Sequence, residues 1–161
     1  MIIDGKKEAE VLREEIKKEI ISIKNKTNKS PALTVILVGD FAPSQIYVKN
    51  KEKISKEVGI NSNVIKYPKD VSEEEILKKI KELNNDKNVS GILVQLPLPD
   101  QISKEKVINL IDPLKDVDGF SPINVGNLAS GYNAIVPCTP LGCLLLLKKV
   151  EKNLSGKHAV I

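Results

Sequence analysis

The sequence predicts an α/β fold, a three-layer domain built on a mainly parallel sheet. Short runs of aliphatic and β-branched residues alternate with longer stretches of helical period. The apolar runs end on Gly, Pro or a polar residue, the pattern of parallel strands buried on both faces. From 112 to 137 a long irregular stretch interrupts the alternation, and loops of that length inside a compact domain are usually functional.

Each element has a local cause. Residues 6 to 26 place Ala9, Leu12, Ile16, Ile20 and Ile23 on one face, which predicts a long amphipathic helix. After Ser30-Pro31, the run Leu33-Thr34-Val35-Ile36-Leu37-Val38, bounded by Gly39-Asp40, reads as a buried strand. A helix over 44 to 58 follows, closed by Gly59. Residues 63 to 67 form a second strand stopped by Pro68, and Ser72-Glu73-Glu74-Glu75 has the form of a capping box. The helix it opens turns Ile76, Leu77, Ile80 and Leu83 inward. Gly91-Ile92-Leu93-Val94-Gln95 is a third strand, halted by Leu96-Pro97-Leu98-Pro99. Ser103 caps a short helix through 111, stopped by Asp112-Pro113, and a helical turn is expected over 124 to 129. Thr139-Pro140 opens a last helix, Thr as N-cap and Pro at the first helical position, with leucines 144 to 147 as its core. A turn over 153 to 157 then leads into His158-Ala159-Val160-Ile161, the opening of a new strand. A strand begun there suggests a chain cut short, with a C-terminal edge strand as the alternative.

The 161 residues, 41% hydrophobic and 29% charged, suffice for one domain with a real core. The net charge of +4 comes from Lys and Arg interleaved with Glu, as in Lys17-Lys18-Glu19, the pattern of solvated helix faces. With no Trp and 3% aromatics there is little to stack bases on, so nucleic acid is not an expected partner. Neither is a membrane: the N-terminus lacks an apolar signal core, no apolar run approaches a span, and a soluble cytoplasmic protein is expected. Cys138, Cys143 and the single His158 make no four-ligand zinc set, and both cysteines read as reduced thiols.

Five residues stand out chemically. Tyr47 and Lys51 lie four apart on one helix and so project from the same face. Tyr47 alone would fit a half-buried phenol on an amphipathic helix, and most lysines here are surface charge. A lysine held in a poorly solvated cleft, however, becomes a usable general acid or base. Gln95 is the polar end of an apolar strand, suited either to satisfying loop backbone or to a site. Asp116 and Asp118 lie two apart in the long loop, a spacing that also fits an Asx turn, and the further oxygen ligands of a calcium loop are missing. In α/β sheets ligands bind beyond the carboxyl ends of the strands, which directs attention to 39 to 44, 95 to 99 and 112 to 137. The Tyr-x-x-x-Lys spacing also occurs in short-chain dehydrogenases, but there it follows a complete glycine-rich dinucleotide fold, and no Gly-x-Gly-x-x-Gly follows a strand here.

Eight motifs follow one another along the chain: Gly39-Asp40, Ser44-Gln45-Ile46-Tyr47-Val48-Lys49-Asn50-Lys51, Glu57-Val58-Gly59-Ile60 and Gly91-Ile92-Leu93-Val94-Gln95-Leu96-Pro97-Leu98-Pro99. Lys115-Asp116-Val117-Asp118-Gly119-Phe120, Asn124-Val125-Gly126, Pro137-Cys138-Thr139-Pro140 and Gly156-Lys157-His158-Ala159-Val160 complete them. Taken in this order, they resemble the bifunctional methylenetetrahydrofolate dehydrogenase/methenyltetrahydrofolate cyclohydrolase family from end to end. Phe41-Ala42-Pro43-Ser44 departs from the family's more usual Pro-Ala-Ser, a local change of loop shape.

The resemblance implies a folate-binding catalytic domain over 1–150, then a linker and the first strand of a Rossmann-type NAD(P)-binding domain over 151–161. By position it makes Lys51 the catalytic lysine, Gln95 the residue that orients it, Tyr47 a ring packing on the folate and Asp118 the carboxylate that hydrogen-bonds the pterin. Ser44, Val94, Leu96, Pro137 and Cys138 would line the same pocket. Methylenetetrahydrofolate would lose a hydride to NADP, and water would then convert the methenyl cation to 10-formyltetrahydrofolate, with Lys51 serving the second step. NADP would be held by residues outside this chain, so the chain alone is expected not to be dehydrogenase-competent. A homodimer is implied for the whole protein. The alternatives are a non-catalytic folate-binding module and a monofunctional dehydrogenase, the latter disfavoured by the presence of both Lys51 and Gln95.

Overall fold

A computed structural model describes residues 2–160. Its elements run α1 (Gly5–Thr27), β1 (Ala32–Val38), α2 (Ala42–Val58), β2 (Asn61–Tyr67), α3 (Glu73–Asn85), β3 (Gly91–Val94), α4 (Lys104–Leu110), α5 (Pro122–Ala129) and α6 (Cys138–Val150). The three strands form one parallel sheet in the order β2-β1-β3. The α/β fold and parallel sheet expected from the sequence are therefore present.

Side-chain alternation along the strands builds the three layers. On one face Ile36 and Val38 of β1 join Ile92 and Val94 of β3 against Ile76 and Ile80 of α3 and Val107 of α4. On the other, Val35, Leu37 and Leu93 pack against Val48 of α2. Fully burying each such aliphatic side chain contributes about 1.5–3 kcal/mol, which makes this two-sided core the main source of stability. α1 lies outside α2, where Ile20 is its one buried residue.

The helix ends follow the expected capping chemistry at three places. Gly59 closes α2 at φ 93, in the left-handed region open to glycine. Ser72 Oγ accepts from Glu75 N and Ser103 Oγ from Lys106 N. Glu73 of the same motif reaches the next helix instead: it accepts from Ser103 N at 2.7 Å and Lys106 Nζ at 2.6 Å, clipping α3 to α4.

Several expectations shift. β2 begins at Asn61, because pairing with Ala32 extends the ladder through its polar start. The helical turn in the long loop is α5, started at Ser121-Pro122. α6 begins at Cys138 with Pro137 as its N-cap, so Thr139 lies inside the first turn instead of capping it. Pro140 permits this, since the N–H it lacks belongs to the first turn, where donors have no intrahelical partner. Leucines 144 to 147 are not a buried core: α6 has no buried residue, and Leu147 is 48% exposed. The cause is that α6 faces α1 across an open groove lined by Ala9, Leu12, Leu145 and Leu146, bridged by Lys149 and Glu8 at 3.0 Å. Residues 158 to 160 pair with no strand among the described residues, and Ile161 of the expected strand lies outside them. No helix among the described residues is long and apolar enough to cross a membrane.

Candidate active site at the carboxyl edge of the sheet

β1 and β3 are neighbours in the sheet, so the start of α2, which follows β1, sits beside the loop that follows β3. Ser44, only 2% exposed, ties the two together by donating its Oγ to the Leu96 carbonyl at 3.3 Å. Alternation sends Leu93 to the α2 face and Val94 to the opposite core, so the next residue, Gln95, returns to the α2 side. There Gln95 continues the ladder, its backbone N donating to Ile36 O at 2.9 Å.

The Gln95 carboxamide is held at both ends. Its Nε2 donates to Leu96 O at 2.8 Å, which leaves Oε1 to accept from Lys51 Nζ at 3.2 Å. Exchanging O and N would set two acceptors against each other at Leu96 and two donors at Lys51, so the chemistry fixes the orientation. Tyr47 lies one turn before Lys51 and is 63% exposed, an open ring next to the held amino group.

The long loop closes the arrangement. Ile92 N donates to Lys115 O at 2.7 Å, which lays the loop alongside β3. Close packing then brings it in: a Cβ on Gly91 would lie 2.4 Å from Val117 Cγ1, and one on Gly119 would lie 2.4 Å from Ile135 O. Gly119 also has φ 67, which L side chains rarely adopt. Asp118, between these fixed neighbours, is half-buried. Its loss of solvation pushes the carboxyl above the ordinary aspartate value, the Lys51 charge pulls it down, and Asp116 pushes it up. Cys138 is exposed, with its Sγ 3.9 Å from Val117 O, and the half-buried Pro137 abuts Gly119.

The structure thus gathers Ser44, Lys51, Gln95, Leu96, Asp118, Pro137 and Cys138 at one edge, with Tyr47 on the Lys51 face of α2. Val94 is different: its side chain belongs to the core against α3 and α4, so only its backbone borders the site. Asp116 parts company from Asp118. It is 3% exposed and turned inward, accepting from Ser121 N at 2.7 Å and Asn124 Nδ2 at 3.1 Å.

Three supporting residues escape a reading by spacing. Asn124 is buried on α5 while Ile123 and Val125 are exposed, the reverse of ordinary helix patterning. Lys115 donates to the carbonyls of Leu83, Asn84 and Asp86, capping the end of α3. Asn84 in turn accepts from Asp112 N and donates to Leu110 O. The one local signal for any of them is Ser121-Pro122, a cap followed by a first-turn proline that fixes where α5 begins.

Residues 3–118 match the family described as tetrahydrofolate dehydrogenase/cyclohydrolase, catalytic domain. The chain belongs to this family. Over its full 161 residues it is 62% identical to the bifunctional protein FolD of Pelagibacter ubique, of which it covers 57%. Among solved structures, the bifunctional FolD methylenetetrahydrofolate dehydrogenase/cyclohydrolase of Campylobacter jejuni superposes with TM-score 0.94 at 46% identity, over 98% of this chain and 56% of that one. The Trypanosoma brucei dehydrogenase-cyclohydrolase, solved with NADP cofactor and an inhibitor, superposes with TM-score 0.92 at 32% identity, over 98% and 54%. The chain therefore spans a little over half the length of these family members. The motifs that suggested the family include Ser44 to Lys51, Gly91 to Pro99 and Lys115 to Gly119, and these are the segments that meet at the sheet edge.

Proposed function

We propose that this chain forms the folate-binding and proton-transfer side of a methylenetetrahydrofolate dehydrogenase/methenyltetrahydrofolate cyclohydrolase. The observation that carries this reading is the Lys51–Gln95 hydrogen bond at the carboxyl edge of the sheet, beside the half-buried Asp118. Tyr47 offers the exposed ring for the folate to stack on. Asp118 offers two acceptor oxygens to the N–H groups of a pterin ring, and its partial burial strengthens such bonds by excluding competing water.

In the hydrolytic step a water oxygen bonds to the electrophilic methenyl carbon and gives up a proton to the unprotonated amine form of Lys51, the form that a cationic substrate alongside favours. The neutral adduct then opens: one ring C–N bond breaks, its nitrogen takes a proton, and the hydroxyl loses one to become the formyl carbonyl. Water plus the methenyl cation thus yields 10-formyltetrahydrofolate and one proton. Gln95 keeps Nζ from swinging into solvent, so proton transfer occurs from a fixed distance.

NADP would accept the hydride in the preceding oxidation. The described residues do not fit it: no strand is followed by a glycine-rich turn opening a helix, and α2, the helix after β1, lacks a side-chain cap. No step is therefore assigned to this chain for the cofactor, which in the whole protein would be held by residues beyond these. A homodimer in the cytoplasm is the matching proposal for assembly and location, and sedimentation of the whole protein tests the former. The reading as a whole is tested by cyclohydrolase turnover with Lys51 replaced by Ala. Loss of turnover in a folded variant supports it, and retained turnover leaves a folate-binding module without chemistry.

A further inference from the structure

The edge of the sheet has two walls, one from the segment after α4 and one from the segment that leads into α6. Asp118 stands on the first segment, and Pro137 and Cys138 on the second. One buried side chain is bonded to both.

Asn124 is 5% exposed and uses its whole carboxamide. Its Nδ2 donates to Pro113 O at 2.9 Å and to Asp116 Oδ2 at 3.1 Å, both on the Asp118 segment. Its Oδ1 accepts from Ile135 N at 3.3 Å, on the segment leading to Pro137 and Cys138. Only this orientation gives every group a complementary partner. The two backbones already touch where Gly119 faces Ile135 O, so a small change in their spacing displaces Asp118 relative to Pro137 and Cys138. Asp116 adds a second hold by accepting from Ser121 N, which fixes the start of the helix that carries Asn124.

We propose that Asn124 is a positioning residue for the folate pocket: its carboxamide sets the spacing between the wall carrying Asp118 and the wall carrying Pro137 and Cys138. It touches no substrate. This rests on the folate reading of the site, and it assigns to α5 a share in how tightly the pterin is held. Displaced acceptors weaken a bound pterin in the ground state and the transition state alike. Lys51 and Gln95 stand on other elements, α2 and the end of β3, and are held by their own hydrogen bond, so their mutual geometry is kept when the Asp118 wall shifts.

The test is steady-state hydrolysis of methenyltetrahydrofolate by the whole protein, with thermal unfolding of every variant. Asn124→Ala is expected to raise KM roughly tenfold while kcat changes by less than about threefold. Asn124→Asp sets a carboxylate against Asp116 and the Pro113 carbonyl, so its KM should be raised further, and the ratio of its KM to that of the unsubstituted protein should fall at lower pH as a proton enters the pair. Adding Asp116→Asn to that variant restores a donor–acceptor match and should bring KM part of the way back. An unchanged KM in folded Asn124→Ala overturns the proposal, as does a kcat loss without a KM change. If Asn124→Ala does not fold, the comparison of Asn124→Asp with the double variant decides. If these also fail to fold, Asn124 belongs to the fold alone and the proposal is overturned. Lys51→Ala measured alongside separates the two readings: if it stays active the folate chemistry is wrong, and if it is inactive while KM ignores Asn124 only the positioning role is wrong.

Discussion

Lys51 Nζ donates to Gln95 Oε1 at 3.2 Å across 44 positions of sequence, joining α2 to the end of β3. A held amino group differs from a surface one in that its distance to a bound substrate is set in advance. Lys51→Ala should therefore lower cyclohydrolase kcat by about 10²–10⁴-fold, the usual contribution of a positioned general acid or base. Gln95→Ala should lose less, because the amine remains but is no longer held. Stopped assays of methenyltetrahydrofolate hydrolysis on folded variants read both, and a Gln95→Ala enzyme with wild-type kcat would show that the hydrogen bond is incidental.

Asp118 gives a pH signature. Its carboxyl titrates above the ordinary aspartate value, mainly through lost solvation. A pterin N–H needs the ionised form, so folate affinity should fall as pH drops through this raised value. The sign for stability is opposite: the folded state holds this proton more tightly than the unfolded chain. The contribution to stability is thus fully present below the unfolded value and lost as pH rises through the folded one. Asp118→Asn should abolish the acidic limb of folate binding in a calorimetric titration, and an unaltered limb would assign it to another group.

Gly119 and Gly91 are close approaches of backbone. Gly119→Ala combines a left-handed φ with a contact of 2.4 Å to Ile135 O, a rigid backbone atom. A loss on the order of 3 kcal/mol is expected, with folate affinity falling as the Asp118 segment is pushed away. Gly91→Ala meets the stiff, branched Val117 instead and should cost about 1–3 kcal/mol. Urea unfolding measures both, and a neutral Gly119→Ala would mean that the loop is free to yield.

Lys115 offers a stability test separate from charge pairing. Its three bonds go to the carbonyls of Leu83, Asn84 and Asp86 at the end of α3, where Leu83 and Asp86 each accept a backbone N–H as well. Lys115→Met keeps the aliphatic stem and should cost about 1–3 kcal/mol in urea unfolding. Faster hydrogen exchange is expected at the end of α3 and along the loop segment beside β3. Protection unchanged in both would show that Lys115 holds neither.

The sequence by itself determined the elements, because their causes lie within a few residues: the β-branched run of β1, the caps at Ser72 and Ser103, the left-handed stop at Gly59. It also placed Tyr47 and Lys51 on one helix face, since four residues are about one turn. What it could not determine depends on which elements become neighbours. That Lys51 meets Gln95 follows from the order β2-β1-β3, which sets β3 beside β1, and from the alternation that turns Gln95 toward α2 and Val94 away. Leucines 144 to 147 read as a core by composition, yet burial is decided by what covers a face, and among the described residues α6 has α1 across a groove. Asn124 stands in the sequence only as the start of a helical turn and part of a motif, and the packing of α5 onto Asp116, Pro113 and Ile135 gives it partners. Local propensity is written in the chain one turn at a time, whereas a site exists only once distant segments share a space.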